Sequence, residues 1–158
     1  MTAWDELFAE HYVALVRLAA NLVDDPDSAE DVVQDVFAAL GPTRVDEPLR
    51  YLRTAVVNRS RSALRRRRVA RAFAGRATRI ELAEPADSGA VRTAERQTVL
   101  AAIDALPQRQ REAVVLRYYE DLPVTEIATV LATTPSAVSS ALSRALDTLA
   151  TTLGDRND

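Results

Sequence analysis

The chain has no cysteine, no lysine, a single histidine and four glycines among 158 residues. Without cysteine there are no disulfides and no thiolate metal sites. One histidine cannot build a histidine metal cluster, and no nucleophile–base pair or phosphate loop stands out. No catalytic residues, no metal and no cofactor are therefore expected, and His11 reads as a surface helix residue. No apolar run approaches the length needed to span a bilayer, and the N-terminus lacks a signal-peptide core. That predicts a cytoplasmic protein with no membrane insertion. Aromatic residues make up only 5% of the chain, so a core must be packed from Ala, Val and Leu. What is present favours helix: 47% hydrophobic residues, abundant Ala and little Gly. Since strand-like alternation persists nowhere, the fold class expected is all-α.

The charge is unevenly placed. Between Arg44 and Arg79 lie twelve Arg and two acids, a local balance of +10, and the remainder carries −13, for a net −3. Such a basic segment in a mildly acidic chain points to a polyanionic partner, most simply nucleic acid. The plainer alternative is a solvated Arg-rich helix face.

Helical punctuation divides the chain in two. Trp4, Phe8, Tyr12, Leu15, Ala19 and Leu22 recur at steps of three and four, the spacing of one helix face. Asp24-Asp25-Pro26 breaks this helix, and Asp27-Ser28-Ala29-Glu30 offers a cap for a second, which Gly41-Pro42 stops. Glu47-Pro48 opens a third, with Leu49, Leu52, Val56 and Leu64 on its inner side and the Arg residues elsewhere. From Ala74 to Ala90 the pattern dissolves into an acidic linker with Gly75, Pro85 and Gly89. Beyond it, Val99, Leu100, Ile103 and Leu106 mark one helix, and Pro107 opens another with Ala113, Val114 and Tyr118 as core. A short helix over Thr125–Leu131 then meets a longer one over Pro135–Leu149 across a tight turn, with Thr134 as cap. The expected architecture is two small helical modules joined by a flexible linker: 1–73, a linker over 74–90, 91–153, and a tail over 154–158.

The last two helices have the form of a helix-turn-helix, whose second helix enters the major groove. Its candidate base-facing residues are Pro135, Ser136, Ser139, Ser140 and Ser143, with Arg144 beside them. A plain helical hairpin is the competing reading.

The segment LPQRQREAVVLRYYEDLPVTEIATVLATTPSAVSSALSRALDTL resembles region 4 of bacterial sigma factors of the extracytoplasmic-function type. DSAEDVVQDVFAAL resembles their region 2.2, and PLRYLRTAVVNRSRSALRRRRV their regions 2.3 and 2.4. The matches occur in the family's order and cover nearly the whole chain. The resemblance implies a subunit that binds core RNA polymerase, recognises −10 and −35 promoter elements and assists DNA melting. It implies a polymerase-binding face at Asp31, Gln34 and Asp35. It implies −10 contacts by Arg44, Arg50, Tyr51, Arg53, Asn58, Arg59, Arg61, Arg65 and Arg66. Arg supplies phosphate contacts and stacking, and Asn58 stands where the family reads a base edge. Tyr51 stands where many members carry Trp, to wedge against a base or to pack in the core. The −35 contacts fall on the Ser-rich helix with Arg144, and on Arg109, Arg111 and Arg117 as backbone contacts. This helix departs from the family, which usually reads GISVGTVKSRLHRAR. Here Ser139, Ala141, Ser143 and Leu146 replace the basic side chains, and less counterion release means weaker duplex affinity. The resemblance also implies an anti-sigma factor as a partner. Two other readings remain: a stand-alone helix-turn-helix regulator, favoured by specific duplex binding of residues 91–158 alone, and a sigma-like interaction protein that binds polymerase without initiating.

Overall fold

A computed structural model describes residues 3–23, 25–41, 45–74 and 90–155. Among them every regular element is helical. The chain divides into two compact units, Met1–Leu82 and Ala83–Asp158.

In the first unit α1 (Ala3–Leu22), α2 (Pro26–Leu40) and α3 (Pro48–Ala74) pack against one another. Leu15, Leu18 and Leu22 of α1, Val33 and Phe37 of α2 and Leu52, Val56 and Val57 of α3 are all buried in the core of this unit. Phe37 is the largest side chain buried there, and burying one such ring contributes about 1.5–3 kcal/mol. The aromatic residues of α1 gather around it: Phe8 meets Phe37 edge-on at 5.0 Å, and the Trp4 indole N–H donates to the Phe37 carbonyl at 3.1 Å. His11 is largely covered rather than a surface residue, its side chain 17% exposed.

Helix α2 starts one cap earlier than the Asp27-Ser28 pattern suggests. Asp25 is the cap, its carboxylate accepting from the Ser28 N–H and hydroxyl at 2.7 Å each, with Pro26 in the first turn. Pro needs no donor at that place, and Asp25 satisfies one that α2 otherwise leaves open. Gly41 ends the helix at φ 55°, where a side chain is strained.

The second unit holds α4 (Ala90–Asp104), α5 (Gln108–Val114), α6 (Val124–Val130) and α7 (Pro135–Gly154), with α7 packed on the other three. Helix α5 continues into a π-helical segment, Val115–Tyr119. Hydrogen bonds there reach one residue further back, as in Glu120 N–H to Val115 O at 3.2 Å. The extra residue per turn rotates the later side chains outward. Tyr118, expected in the core, is therefore 58% exposed, while Val115 and Leu116 take the buried places.

The expected linker lies, between its helical ends at Ala74 and Ala90, outside the described residues, as does Arg44.

Candidate polymerase and DNA interfaces

Asp31, Gln34 and Asp35 share one exposed face of α2, opposite Val32, Val33, Val36 and Phe37 in the core. A spacing of three and four residues puts the three polar groups side by side.

Helix α3 is 27 residues long, about 40 Å at 1.5 Å per residue. Its buried positions end at Leu64; from Arg65 to Phe73 every residue but Arg67 is exposed. The Arg residues therefore divide by environment. Arg50, Arg59, Arg65 and Arg66 are exposed, as is Asn58, whereas Arg53 and Arg61 are half-buried. Tyr51 is 46% exposed, which places it on the surface rather than in the core. Arg50 pairs with Glu47 one turn back at 2.8 Å.

Arg67, in the middle of the four-Arg run, has a different role. Its guanidinium is 2.8 Å from the Asp25 carboxylate, and both side chains are mostly covered. Burial works against the charged form of Asp25, but the Ser28 hydrogen bonds and then Arg67 outweigh it and hold this carboxyl below the usual carboxylate range. Arg67 thus fastens α3 to the start of α2.

Acidic and basic surfaces adjoin. Arg59 stands 4.0 Å from Asp35 with both half-exposed, a geometry that contributes little stability. An open groove between α2 and α3 is lined by Asp31 and Asp35 on one side and by Ala63, Arg66 and Arg67 on the other.

In the second unit, α6, a short turn and α7 form a helix-turn-helix. Thr134 caps α7, accepting from the Ala137 N–H at 3.1 Å, with Pro135 in the first turn. The turn closes α6 by two reverse bonds, Thr133 N–H to Ala128 O at 2.9 Å and Ala132 N–H to Thr129 O at 3.3 Å. Ala132 holds the left-handed position at φ 53°, a conformation that favours glycine. Buried Ala128 allows α6 and α7 close approach. Pro135, Ser136, Ser139, Ser140, Ser143 and Arg144 are all exposed, while Val138, Leu142 and Ala145 face inward. Hydroxyls thus occupy most of the exposed first turns of α7.

The three Arg of α5 and its π extension separate. Arg109 is exposed, its Nη1 3.5 Å from the Leu131 carbonyl. Arg117 is half-buried and donates to the Leu122 carbonyl at 3.0 Å, bracing the turn before α6. Arg111 is only 5% exposed and lies 3.9 Å from Asp104 of α4, so its position opposes a DNA-backbone role. The helical phase of Ala113 and Val114, both buried, carries it inward.

Sequence reasoning missed the Asp25–Arg67 pair and the exposed Val69 and Phe73 on α3. The first links residues far apart in the chain and leaves no local pattern. The second was available, because Val69 and Phe73 keep the helical phase of Tyr51 and Asn58.

Residues 7–70 match sigma-70 region 2 and residues 96–149 match sigma-70 region 4. Along nearly the whole chain it is similar to RNA polymerase sigma factor CarQ of Myxococcus xanthus, with 30% identity over 97% of this chain and 90% of that protein. The chain belongs to the sigma-70 family, as a member of extracytoplasmic-function type. It is also 31% identical to the RNA polymerase sigma-E factor of Streptomyces coelicolor over 79% of this chain and 71% of that one. The fold is that of the sigma factor RpoE solved with the anti-sigma factor NepR from Bartonella quintana, at a TM-score of 0.79, 24% identity and 98% coverage of each chain. CnrH, solved with the cytosolic domain of CnrY, matches at a TM-score of 0.67 and 24% identity over 97% of this chain and 88% of that one. Sigma factors are regulatory rather than catalytic proteins. No described helix is long and apolar enough to cross a membrane.

Proposed function

We propose that this sigma factor docks on core RNA polymerase through Asp31, Gln34 and Asp35 and holds the −10 strand along the exposed side of α3. The chain is a promoter-directing sigma factor, with region 2 and region 4 in the family's order. The observation that carries the residue-level proposal is the sorting of charge on the first unit. The acids of α2 face outward at helical spacing, while Arg50, Tyr51, Asn58, Arg59, Arg65 and Arg66 are exposed on α3, with Arg53 and Arg61 half-buried beside them. Exposed carboxylates steer and orient a basic partner surface. Arg heads bind phosphates and stack on bases, and Asn58 offers a paired hydrogen bond to a base edge.

Residues 1–73 are assigned to polymerase and −10 binding, and 91–153 to −35 binding. In the second unit, exposed Ser136, Ser139, Ser140, Ser143 and Arg144, with Arg109 as a backbone contact, face −35 duplex. Having one Arg among hydroxyls, this helix supplies little counterion release, so promoter selection rests more on the first unit. The sigma factor RpoE, whose fold this chain shares, is solved with the anti-sigma factor NepR, which supports an anti-sigma partner for this chain as well.

The test is transcription from genomic fragments by core polymerase with the purified protein. Promoter-dependent transcripts are expected only when both are present. Replacing Asp31 and Asp35 with Asn weakens core association, and failure of the wild-type chain to associate with core overturns the proposal.

A further inference from the structure

Exposed side chains recur along α3 at steps of seven, seven, four and four residues: Tyr51, Asn58, Arg65, Val69 and Phe73. At 100° per residue these positions stay within about 40° of one line, and 22 residues of helix make that line about 33 Å long. It continues past the last buried position of the helix. Its far end is apolar: Val69 is 52% exposed and Phe73 89% exposed, the most exposed of the large hydrophobic residues described. An aromatic ring left in water is unexplained by the packing of the unit. Exposed Arg65 and Arg66 lie on the same side of the helix about two turns earlier.

We propose that Phe73, one turn beyond Val69, is a further base-stacking position, extending the single-strand DNA track of α3 beyond Arg66. This inference rests on the proposal that α3 faces DNA. Three features on the same line select the occupant. Arg65 supplies the cation for a phosphate, Asn58 the amide for a base edge, and Tyr51 and Phe73 provide rings at either end. Rings and cations in line along one helix side suit a chain carrying both negative charge and π faces, which is a single strand. An acidic protein segment matches the charge but gives Asn58 no base edge to read.

The experiment measures binding of a labelled 20-nucleotide oligothymidine by the full chain at low salt. Compared are wild type, Phe73→Ala, Phe73→Trp and the double variant Arg65→Ser/Arg66→Ser. Phe73→Ala is expected to weaken binding on the order of 5- to 150-fold, the effect of losing one stacked base. Its salt dependence stays that of wild type, because no charge is removed. Phe73→Trp retains affinity, and its added indole fluorescence is quenched on binding. Thermal unfolding by circular dichroism stays unchanged for both, since the ring is exposed. If Phe73→Ala binds as wild type while the Arg variant is weakened, the stacking role is overturned and the DNA-facing surface stands. If neither variant changes binding, or the wild type does not bind, both ideas are overturned. A change in self-association with unaltered DNA affinity assigns Phe73 to a protein contact instead.

Discussion

Four consecutive arginines, Arg65 to Arg68, look interchangeable in the sequence, yet their surroundings predict two different phenotypes. Arg67 is 2.8 Å from Asp25, with 29% of its side chain and 18% of that of Asp25 exposed. Removing it leaves a mostly covered carboxylate without its cation. The cost falls between that of an exposed pair and a buried one, about 1–2 kcal/mol. For a unit of this size that lowers the melting midpoint by roughly 5–10 °C. Arg65, Arg66 and Arg68 are exposed, and replacing all three with Ser should change stability by no more than about 0.5 kcal/mol. If each meets one phosphate of a single strand, their loss reduces the slope of log affinity against log salt by about 2. The assays are thermal unfolding followed by circular dichroism, and oligothymidine binding across a salt series, on Arg67→Ser and on the triple variant. Arg67→Ser should unfold earlier with a nearly unchanged salt slope, and the triple variant should do the reverse. If Arg67→Ser melts with wild type and flattens the slope as a phosphate contact would, the division of the run is wrong.

The same pair gives a pH dependence. The Asp25 carboxyl titrates lower when folded, so its stabilising effect is full above the ordinary value of 3.8 and disappears as pH falls through the folded value. Urea midpoints of wild type and Asp25→Asn should differ at pH 7 and converge on acidification; a gap that persists below both values refutes the linkage. Asp25→Ala should cost about 1 kcal/mol more than Asp25→Asn at pH 7, because Asn still caps α2. Ala132→Gly in the α6–α7 turn removes about 1–2 kcal/mol of left-handed strain and adds about 0.5–1 kcal/mol of chain entropy loss, for a net gain near 0.5–1 kcal/mol in urea unfolding. Loss of stability there would contradict the strain assigned to φ 53°. Ser60 is 1% exposed and its hydroxyl has no hydrogen-bond partner among the described residues. Ser60→Ala should raise the melting midpoint, by about 1 kcal/mol of stability, and a drop would mean that the hydroxyl is satisfied in solution.

Much of the architecture was legible because helices announce themselves locally. The spacing of Leu15, Ala19 and Leu22, the stop at Gly41, Pro48 at the start of α3 and Thr134-Pro135 at the start of α7 each depend on neighbours within a few residues. The exposure of Asp31, Gln34 and Asp35 is local in the same sense, their phase being opposite to that of buried Val33 and Phe37. Where the local rule changed, the reading slipped. The π segment altered the period after Val114, and Tyr118 moved from the expected core to the surface. The cap expected at Asp27-Ser28 is instead Asp25, which also has Arg67 within reach.

By itself, then, the sequence determined an all-helical chain with its positive charge gathered on α3, because periodicity, caps and charge runs are properties of short stretches of chain; the family entered through the resemblance of whole segments. Tertiary structure alone decided which arginines are surface and which are fasteners. Arg67 is paired across two helices, Arg111 is turned inward beside Asp104, and Arg65 and Arg66 are left on the surface. Identical side chains acquire different roles because burial and the nearest opposite charge are set by residues distant in sequence, and no local pattern encodes them.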